Sequence, residues 1–286
     1  MRRGIVSWFS LCVVEASDGS DSKSYSPPGA NPNILKLLTL ARDLRRRKAR
    51  ERQHLFAAEG VRAVEELLRS RLRVHGVLVA PQLADAPRGA ALLAILESAG
   101  VEVSSVPPLE FASAAETESP QGVLAVAEIP EHALADIAWG EGGRVVVLDA
   151  VQDPGNVGTI VRTAAALGAT AVLSLPGTVD LWNAKVVRSA MGASFHIPVI
   201  TTSWDALDEF RARDGVALWG ADAAGSPLDT LNPPRRLALV VGNEGAGLSD
   251  DARRRIDQLA ALPIGSIVDS LNVAVATGIF LYQLRM

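Results

Sequence analysis

The segment Leu262-Pro-Ile-Gly-Ser-Ile-Val-Asp-Ser-Leu-Asn-Val-Ala-Val-Ala-Thr-Gly-Ile-Phe-Leu-Tyr-Gln-Leu284 closes the chain, and the other elements are arranged to meet it. It opens as the end of an apolar strand, turns through a loop around Gly265 and enters a helix near Ser270. Ser270 suits an N-cap, because its hydroxyl accepts a hydrogen bond from a free amide of the first turn. The small side chains of Ala274, Ala276, Thr277 and Gly278 then let another backbone come close. No residue of the segment does chemistry unaided, so it reads as a device for holding something against the helix entrance.

Before this segment the pattern is regular. Strands are expected at 144–148, 171–175, 197–200, 216–219, 237–241 and 259–262, with helices at 157–167, 183–191, 205–213 and 249–256. Such alternation implies a mostly parallel sheet covered on both faces. Ligands of such sheets sit beyond the carboxyl ends of the strands, so chemistry is sought there.

The first strand end continues as Asp149-Ala-Val-Gln-Asp-Pro-Gly-Asn156. Gly155 and Gly158 make a tight turn into a helix whose free amides can face an anion. Asn156 stands where an N-cap would stand. Arg162 follows six residues later, under two turns along, and is expected to share a face with the helix entrance. Alone, these residues fit an ordinary capped helix with a solvent arginine equally well. The turn has neither the G-x-G-x-x-G of a dinucleotide site nor a Walker A lysine. The fifth strand end, Val241-Gly-Asn-Glu-Gly-Ala-Gly-Leu248, has glycines that let a backbone pass close to a ligand. Glu244 is its one carboxylate, a cap or salt-bridge partner on the plainest reading. The last strand end supplies Leu262, Ser270, Leu271 and Asn272. Together the three loops suggest a pocket for a neutral, flat group, held mostly by backbone hydrogen bonds.

The rest of the chain sets bounds. Its 286 residues make one large or two ordinary domains, 48% apolar and 21% charged. A net charge of −4 exerts no global pull on nucleic acid, so any basic patch is local. Cys12 is the single cysteine, which precludes an internal disulfide and fits a reducing, cytoplasmic setting. His54, His75, His132 and His196 have no metal-site spacing, and no apolar run approaches a membrane span. Arg2-Arg3 ahead of the apolar run 5–14 read either as a short signal peptide or as an untidy extension. Residues 17–33, rich in Ser, Asp, Gly and Pro, read as disordered. Arg42, Arg45, Arg46, Arg47, Lys48, Arg50 and Arg52 then crowd one short segment, which is either a solvated face or a phosphate-contacting patch. Strands at 54–58, 74–79, 101–106 and 122–127 with helices at 61–70 and 90–98 make a small α/β unit. Residues 130–143, rich in Gly and acids, read as a linker.

The three strand-end loops, in this order, resemble the three signature motifs of the SpoU (TrmH) family of RNA ribose 2′-O-methyltransferases, and the likeness spans everything after the linker. The N-terminal unit, through Ala58-Glu-Gly-Val-Arg-Ala-Val-Glu65 and Ser119-Pro-Gln-Gly-Val-Leu-Ala-Val126, is similar to the L30e-like substrate-binding domain that many members carry. The organisation expected is an extension at 1–33, an L30e-like RNA-binding domain at 34–129, a linker at 130–143 and a SpoU (SPOUT) methyltransferase domain at 144–286.

The resemblance implies an α/β fold with a deep C-terminal trefoil knot, an exception to the rule against knots. It implies S-adenosylmethionine as cofactor, with Gly242, Leu262 and Leu271 as its backbone contacts, no metal, and a homodimer with the active site at the subunit boundary. It assigns Arg162, Asn156, Glu244, Ser270 and Asn272 to catalysis, with Arg162 proposed in the family as the base. A guanidinium effectively never deprotonates in proteins, so Arg162 is better read as holding a phosphate and stabilising the nascent alkoxide. Asn156 and Asn272 would orient Arg162 and the ribose, Glu244 would tether the second loop or the arginine, and Ser270 would line the pocket. Arg45, Arg46, Arg47 and Arg52 would grip RNA backbone, with 23S rRNA the first choice of substrate and tRNA the second. A non-catalytic RNA-binding protein on the same fold, and a nucleotide-handling enzyme on a flavodoxin-like sheet, are the competing readings.

Overall fold

The computed structural model describes residues 32–139 and 142–285. The signal-peptide and disorder readings of residues 1–33 lie outside the described residues, except at Pro32 and Asn33, which open the first helix. The smaller lobe runs α1 (Pro32–Asp43), α2 (Arg47–Gln53), β1 (Leu55–Glu59), α3 (Val61–Arg69), β2 (Val74–Val79), α4 (Pro87–Ser98), β3 (Val103–Ser105), α5 (Pro108–Ala114) and β4 (Val123–Glu128). Its strands pair in the order β1-β4-β2-β3, antiparallel except for the parallel β2/β3 pair. The i, i+3 spacing of Val61, Val64 and Leu67 turns α3 onto one face of this sheet. Leu38, Leu44 and Phe111, from α1, the turn after it and α5, pack against the other.

The larger lobe runs β5 (Gly143–Leu148), α6 (Pro154–Ala166), β6 (Ala171–Ser174), α7 (Ala184–Ala190), β7 (Val199–Thr201), α8 (Trp204–Asp214), β8 (Ala217–Pro227), β9 (Arg236–Val241), α9 (Asp250–Arg255), β10 (Gln258–Ala261) and α10 (Val273–Leu284). The sheet order is β10-β8-β9-β5-β6-β7, and every pair is parallel. All six residues of β5 are buried, which explains its unbroken Val-rich run, since a parallel strand covered on both faces has no polar side. Val157, Val186 and Phe280 bring α6, α7 and α10 to one face, and Phe210 and Ala252 bring α8 and α9 to the other.

Two features position the site. First, the chain leaves β10 at the sheet's edge and returns to place α10 on α6. Gly278 permits the approach, because a Cβ there would lie 3.2 Å from Thr163 Cγ2. The far end of α10 is tied back by the buried Arg144, whose Nε donates to the Leu284 carbonyl at 2.8 Å. Second, β8 continues to Pro227, well past the expected end at 219, because β10 pairs with its extension at Ala260↔Ser226 and Ala261↔Pro227 after a register shift.

The lobes share one apolar cluster. Phe56 of β1 meets Trp182 at 4.6 Å and Phe195 at 5.5 Å between ring centroids. Beside it, Arg50 of α2, only 3% exposed, donates through Nε to Asp180 Oδ2 at 2.8 Å and through Nη1 to the Leu44 carbonyl at 2.6 Å. Arg50 is thus turned inward, away from the exposed residues of the basic run. Removing its partner leaves a buried charge uncompensated, which costs about 3–5 kcal/mol. Asp180→Ala is accordingly expected to lower the unfolding free energy by about that amount in chemical denaturation. A loss under about 1 kcal/mol would mean that the pair is solvated.

Residues 130–143 are more than a tether. Ile137 and Trp139 are buried in the larger lobe, and the Trp139 ring stacks on Phe210 at 5.5 Å. The Arg213 guanidinium, and then the Trp139 indole N–H donating at 3.0 Å, hold the Asp214 carboxyl down to about 2.

Candidate active site

The loops after β5, β9 and β10 meet at the carboxyl edge of the large sheet. In the first, Asp153 is the N-cap of α6, accepting from the Asn156 amide at 2.8 Å, and Pro154 takes the first helical position. Asn156 is therefore inside the first turn rather than at the cap, and this frees its side chain to bond outward. In the third loop Asn272 is the N-cap, its Oδ1 accepting from the amides of Ala274 at 2.9 Å and Val275 at 3.3 Å. Ser270 thus lies two residues before the cap and lines the cavity instead.

With the caps placed in this way, three side chains distant in sequence join. Asn156 donates through Nδ2 to Glu244 Oε1 at 3.0 Å and accepts at Oδ1 from Asn272 Nδ2 at 2.9 Å. Glu244 also accepts from the backbone amides of Asp153 at 3.1 Å and Gln152 at 3.3 Å. Partial burial pushes the Glu244 carboxyl up. Hydrogen bonds from Asn156 and from the amides of Glu244 itself, Asp153 and Gln152 outweigh that, leaving its pKa below the ordinary value. The tether is therefore charged and complete above the usual carboxylate range, and weakens only as pH falls through the depressed value.

The second loop is built around Asn243, which the sequence reading passed over. Its Oδ1 accepts from the amides of Gly245 and Ala246, each at 2.9 Å, and its Nδ2 donates to the Ala150 carbonyl at 2.9 Å. Its backbone exchanges bonds with Gly247 at 2.9 and 3.0 Å. An Asn between glycines is a sequence signal for such a side-chain-closed turn. Gly247 has φ +69°, and a Cβ on Gly242 would lie 2.3 Å from the Gly247 backbone, so the loop can fold this tightly only with glycine at 242.

The loops after β9 and β10, with the extension of β8 and with α10, border a cavity of about 490 Å³. Gly242, Leu262, Leu271, Glu244, Ser270 and Asn272 all line it, with Phe280 and Ala276 of α10 and Asp222 of β8. Asp222 gave no signal in the sequence, because Ala-Asp-Ala-Ala-Gly reads as loop. Its carboxylate is held by Arg253 Nη2 at 2.6 Å.

Arg162 is not part of the hydrogen-bonded trio. It is exposed on α6, and its Nη1 reaches Met191 Sδ at 2.8 Å, at the turn that ends α7. The expectation that Asn156 and Asn272 hold it is thus corrected: their amides are used by Glu244 and by each other. Met191 itself has φ +52°, a conformation non-glycine residues seldom adopt. Arg45, Arg46, Arg47 and Arg52 are all exposed on the smaller lobe. Arg46 pairs with Asp43, Arg47 with Glu51 at 2.7 Å, and Arg45 donates to the Ser113 carbonyl at 3.3 Å. No cluster of metal-ligating residues and no helix long and apolar enough to cross a membrane occurs among the described residues.

The sequence model of the SpoU rRNA Methylase family matches residues 143–282, and that of the MRM3-like substrate binding domain matches residues 35–125. The chain is 38% identical over 244 residues to 23S rRNA (guanosine(2553)-2′-O)-methyltransferase RlmP of Bacillus subtilis, covering 85% of this chain and 93% of that one. The structure of the SpoU methyltransferase AviRb from Streptomyces viridochromogenes in complex with the cofactor AdoMet has a TM-score of 0.77 at 28% identity, covering 89% and 97% of the two chains. The AdoMet-bound rRNA methyltransferase from Sinorhizobium meliloti has a TM-score of 0.75 at 30% identity, covering 87% and 94%. The fold is that of the SPOUT methyltransferases, an α/β class with a smaller N-terminal domain ahead of the parallel sheet. The chain belongs to the SpoU rRNA methylase family.

Proposed function

We propose that this protein transfers a methyl group from S-adenosylmethionine to a ribose 2′-hydroxyl of 23S rRNA. The observation that carries the reading is the Asn156–Glu244–Asn272 chain of hydrogen bonds, which joins three loops at the rim of one cavity. The residues present fit the cofactor. Gly242 lines the cavity on a loop that folds only with glycine there, Leu262 and Phe280 offer apolar wall, and the loops between offer backbone donors and acceptors. When bound, the cofactor supplies an electrophilic methyl on sulfur. Gly242, Leu262 and Leu271, which line the cavity, would hold it by their backbones, with the segment 262–272, crossing from β10 back to α10, beside it.

The protein's own groups do the rest by placement and charge. Fixing the ribose oxygen in line with the methyl removes much of the barrier. The Arg162 guanidinium, tied to a thioether rather than to a carboxylate, keeps its full charge for a phosphate and for the developing alkoxide. It does not serve as base, because it does not deprotonate; the proton leaves through water or a neighbouring phosphate. Asn156 and Asn272 orient the ribose, and Glu244 keeps their loops in register. Isothermal titration tests the class of ligand: S-adenosylhomocysteine is expected to bind, and FMN and ATP are not. Binding of FMN or ATP in its place would mean that the cavity serves a nucleotide and not a methyl donor.

The smaller lobe selects the RNA, consistent with the match of residues 35–125, and residues 130–143 join it to the methyltransferase domain. An rRNA substrate implies a cytoplasmic setting. A second copy covers α10 and α6. Val275, Ile279 and Tyr282 are exposed there by 53%, 38% and 54%, around a groove floored by Thr159, Thr163 and Gly278, a row that an isolated surface helix has no reason to carry. Ile279→Asp is expected to shift the sedimenting species from dimer to monomer. A wild-type monomer at micromolar concentration would remove the dimer from the account.

A further inference from the structure

We propose that the exposed face of α7, through Lys185 and Arg188, carries the RNA backbone between the basic helix α2 and Arg162. The proposal rests on the RNA-methyltransferase reading and adds to it the path of the strand.

The helix is fixed at both ends to the two basic regions. Just before α7, Asp180 holds Arg50 of α2 at 2.6 Å and accepts from the Trp182 amide at 3.0 Å. Just after it, Met191 receives the Arg162 guanidinium. Seven residues of helix span about 10 Å, a distance one short run of nucleotides bridges. The orientation of α7 is equally fixed. Val186, Val187 and Ala190 are buried, and Gly158 of α6 lies so close that a Cβ would be 2.1 Å from Ser189 Oγ. Lys185 and Arg188, one turn apart, therefore face solvent.

Charge bookkeeping separates this face from α2. Arg46 and Arg47 are partly neutralised by Asp43 and Glu51. The side chains of Lys185 and Arg188 have no hydrogen-bond or ion-pair partner among the described residues. A cation already paired with a carboxylate releases fewer counterions on meeting a phosphate than a free one. The α7 pair is thus a stronger electrostatic contact than Arg46 and Arg47, and α7 ends at Met191, the residue that Arg162 touches.

The test measures binding of the full-length protein to transcribed 23S rRNA against salt concentration, alongside steady-state methyl transfer. Lys185→Ala with Arg188→Ala is expected to flatten the slope of log K against log salt by about 1.4, two contacts at the single-strand value. KM for RNA should rise at least about tenfold with kcat little changed, while S-adenosylhomocysteine affinity stays at the wild-type value. Arg46→Glu with Arg47→Glu is expected to weaken binding by less than Lys185→Glu with Arg188→Glu, and Lys185→Arg should retain wild-type behaviour. An unchanged salt slope in the alanine pair, or a larger loss from the α2 pair, overturns the proposal and leaves the methyltransferase reading intact. A wild-type protein that binds S-adenosylhomocysteine but shows no salt-dependent RNA binding overturns both the proposal and the RNA reading.

Discussion

Arg162→Ala is expected to slow methyl transfer by about 100- to 1,000-fold or more, the loss typical of removing one donor aimed at a developing oxyanion, while leaving cofactor affinity nearly unchanged. The split follows from geometry: Arg162 is on the exposed side of α6 and touches Met191, outside the ring of residues around the cavity. Arg162→Lys is expected to recover little, because an ammonium lacks the planar fork that engages two oxygens at once. Single-turnover transfer with saturating cofactor, paired with calorimetric titration of S-adenosylhomocysteine, makes the comparison. Equal losses in transfer and in cofactor binding would show that Arg162 supports the pocket rather than the reacting oxygen.

Gly242→Val is expected to produce the opposite pattern, with cofactor binding lost first and activity falling with it. A Cβ at 242 would stand 2.3 Å from the Gly247 carbonyl carbon and oxygen and 2.6 Å from the Leu248 amide. All three are backbone atoms pinned by the Asn243–Gly247 bonds, so the collision is relieved only by opening the loop. Overpacking of this kind costs about 1–3 kcal/mol of stability, and the loop movement should weaken S-adenosylhomocysteine by more than tenfold. Gly245→Ala is the control. Its Cβ would meet only Asn243 Oδ1, at 3.7 Å, so binding and melting temperature should stay close to wild type. Tight binding in Gly242→Val would place the cofactor elsewhere.

The alternation of strands and helices was legible from the Val-rich runs, and the carboxyl-edge loops from their Gly and Asn. What local pattern could not decide was which of two neighbouring candidates caps a helix. Asp153 and Asn156 both qualify, and so do Ser270 and Asn272. Pro154 at the first helical position settles the first pair, and two amides within reach of Asn272 Oδ1 settle the second. Each correction released a side chain, Asn156 to the trio and Ser270 to the cavity. The Arg run was only partly legible for a different reason. A charge count cannot show that Arg50 turns inward, because its partner Asp180 stands 130 residues away. Trp139 was hidden in the same way, since its stacking on Phe210 joins a presumed linker to a distant helix. The strand β8 outran its apolar stretch because β10, not its own composition, supplies the pairing of its second half.

A ribose hydroxyl of rRNA receives a methyl group at the cavity lined by Glu244 and Asn272, which Asn156 joins. The most direct measurement incubates the protein with 23S rRNA and methyl-labelled S-adenosylmethionine, digests the RNA to nucleosides and locates the label by mass spectrometry. Label is expected on a ribose 2′-oxygen with the wild-type protein and almost none with Arg162→Ala. Label on a base, or none from a protein that binds S-adenosylhomocysteine, would contradict it.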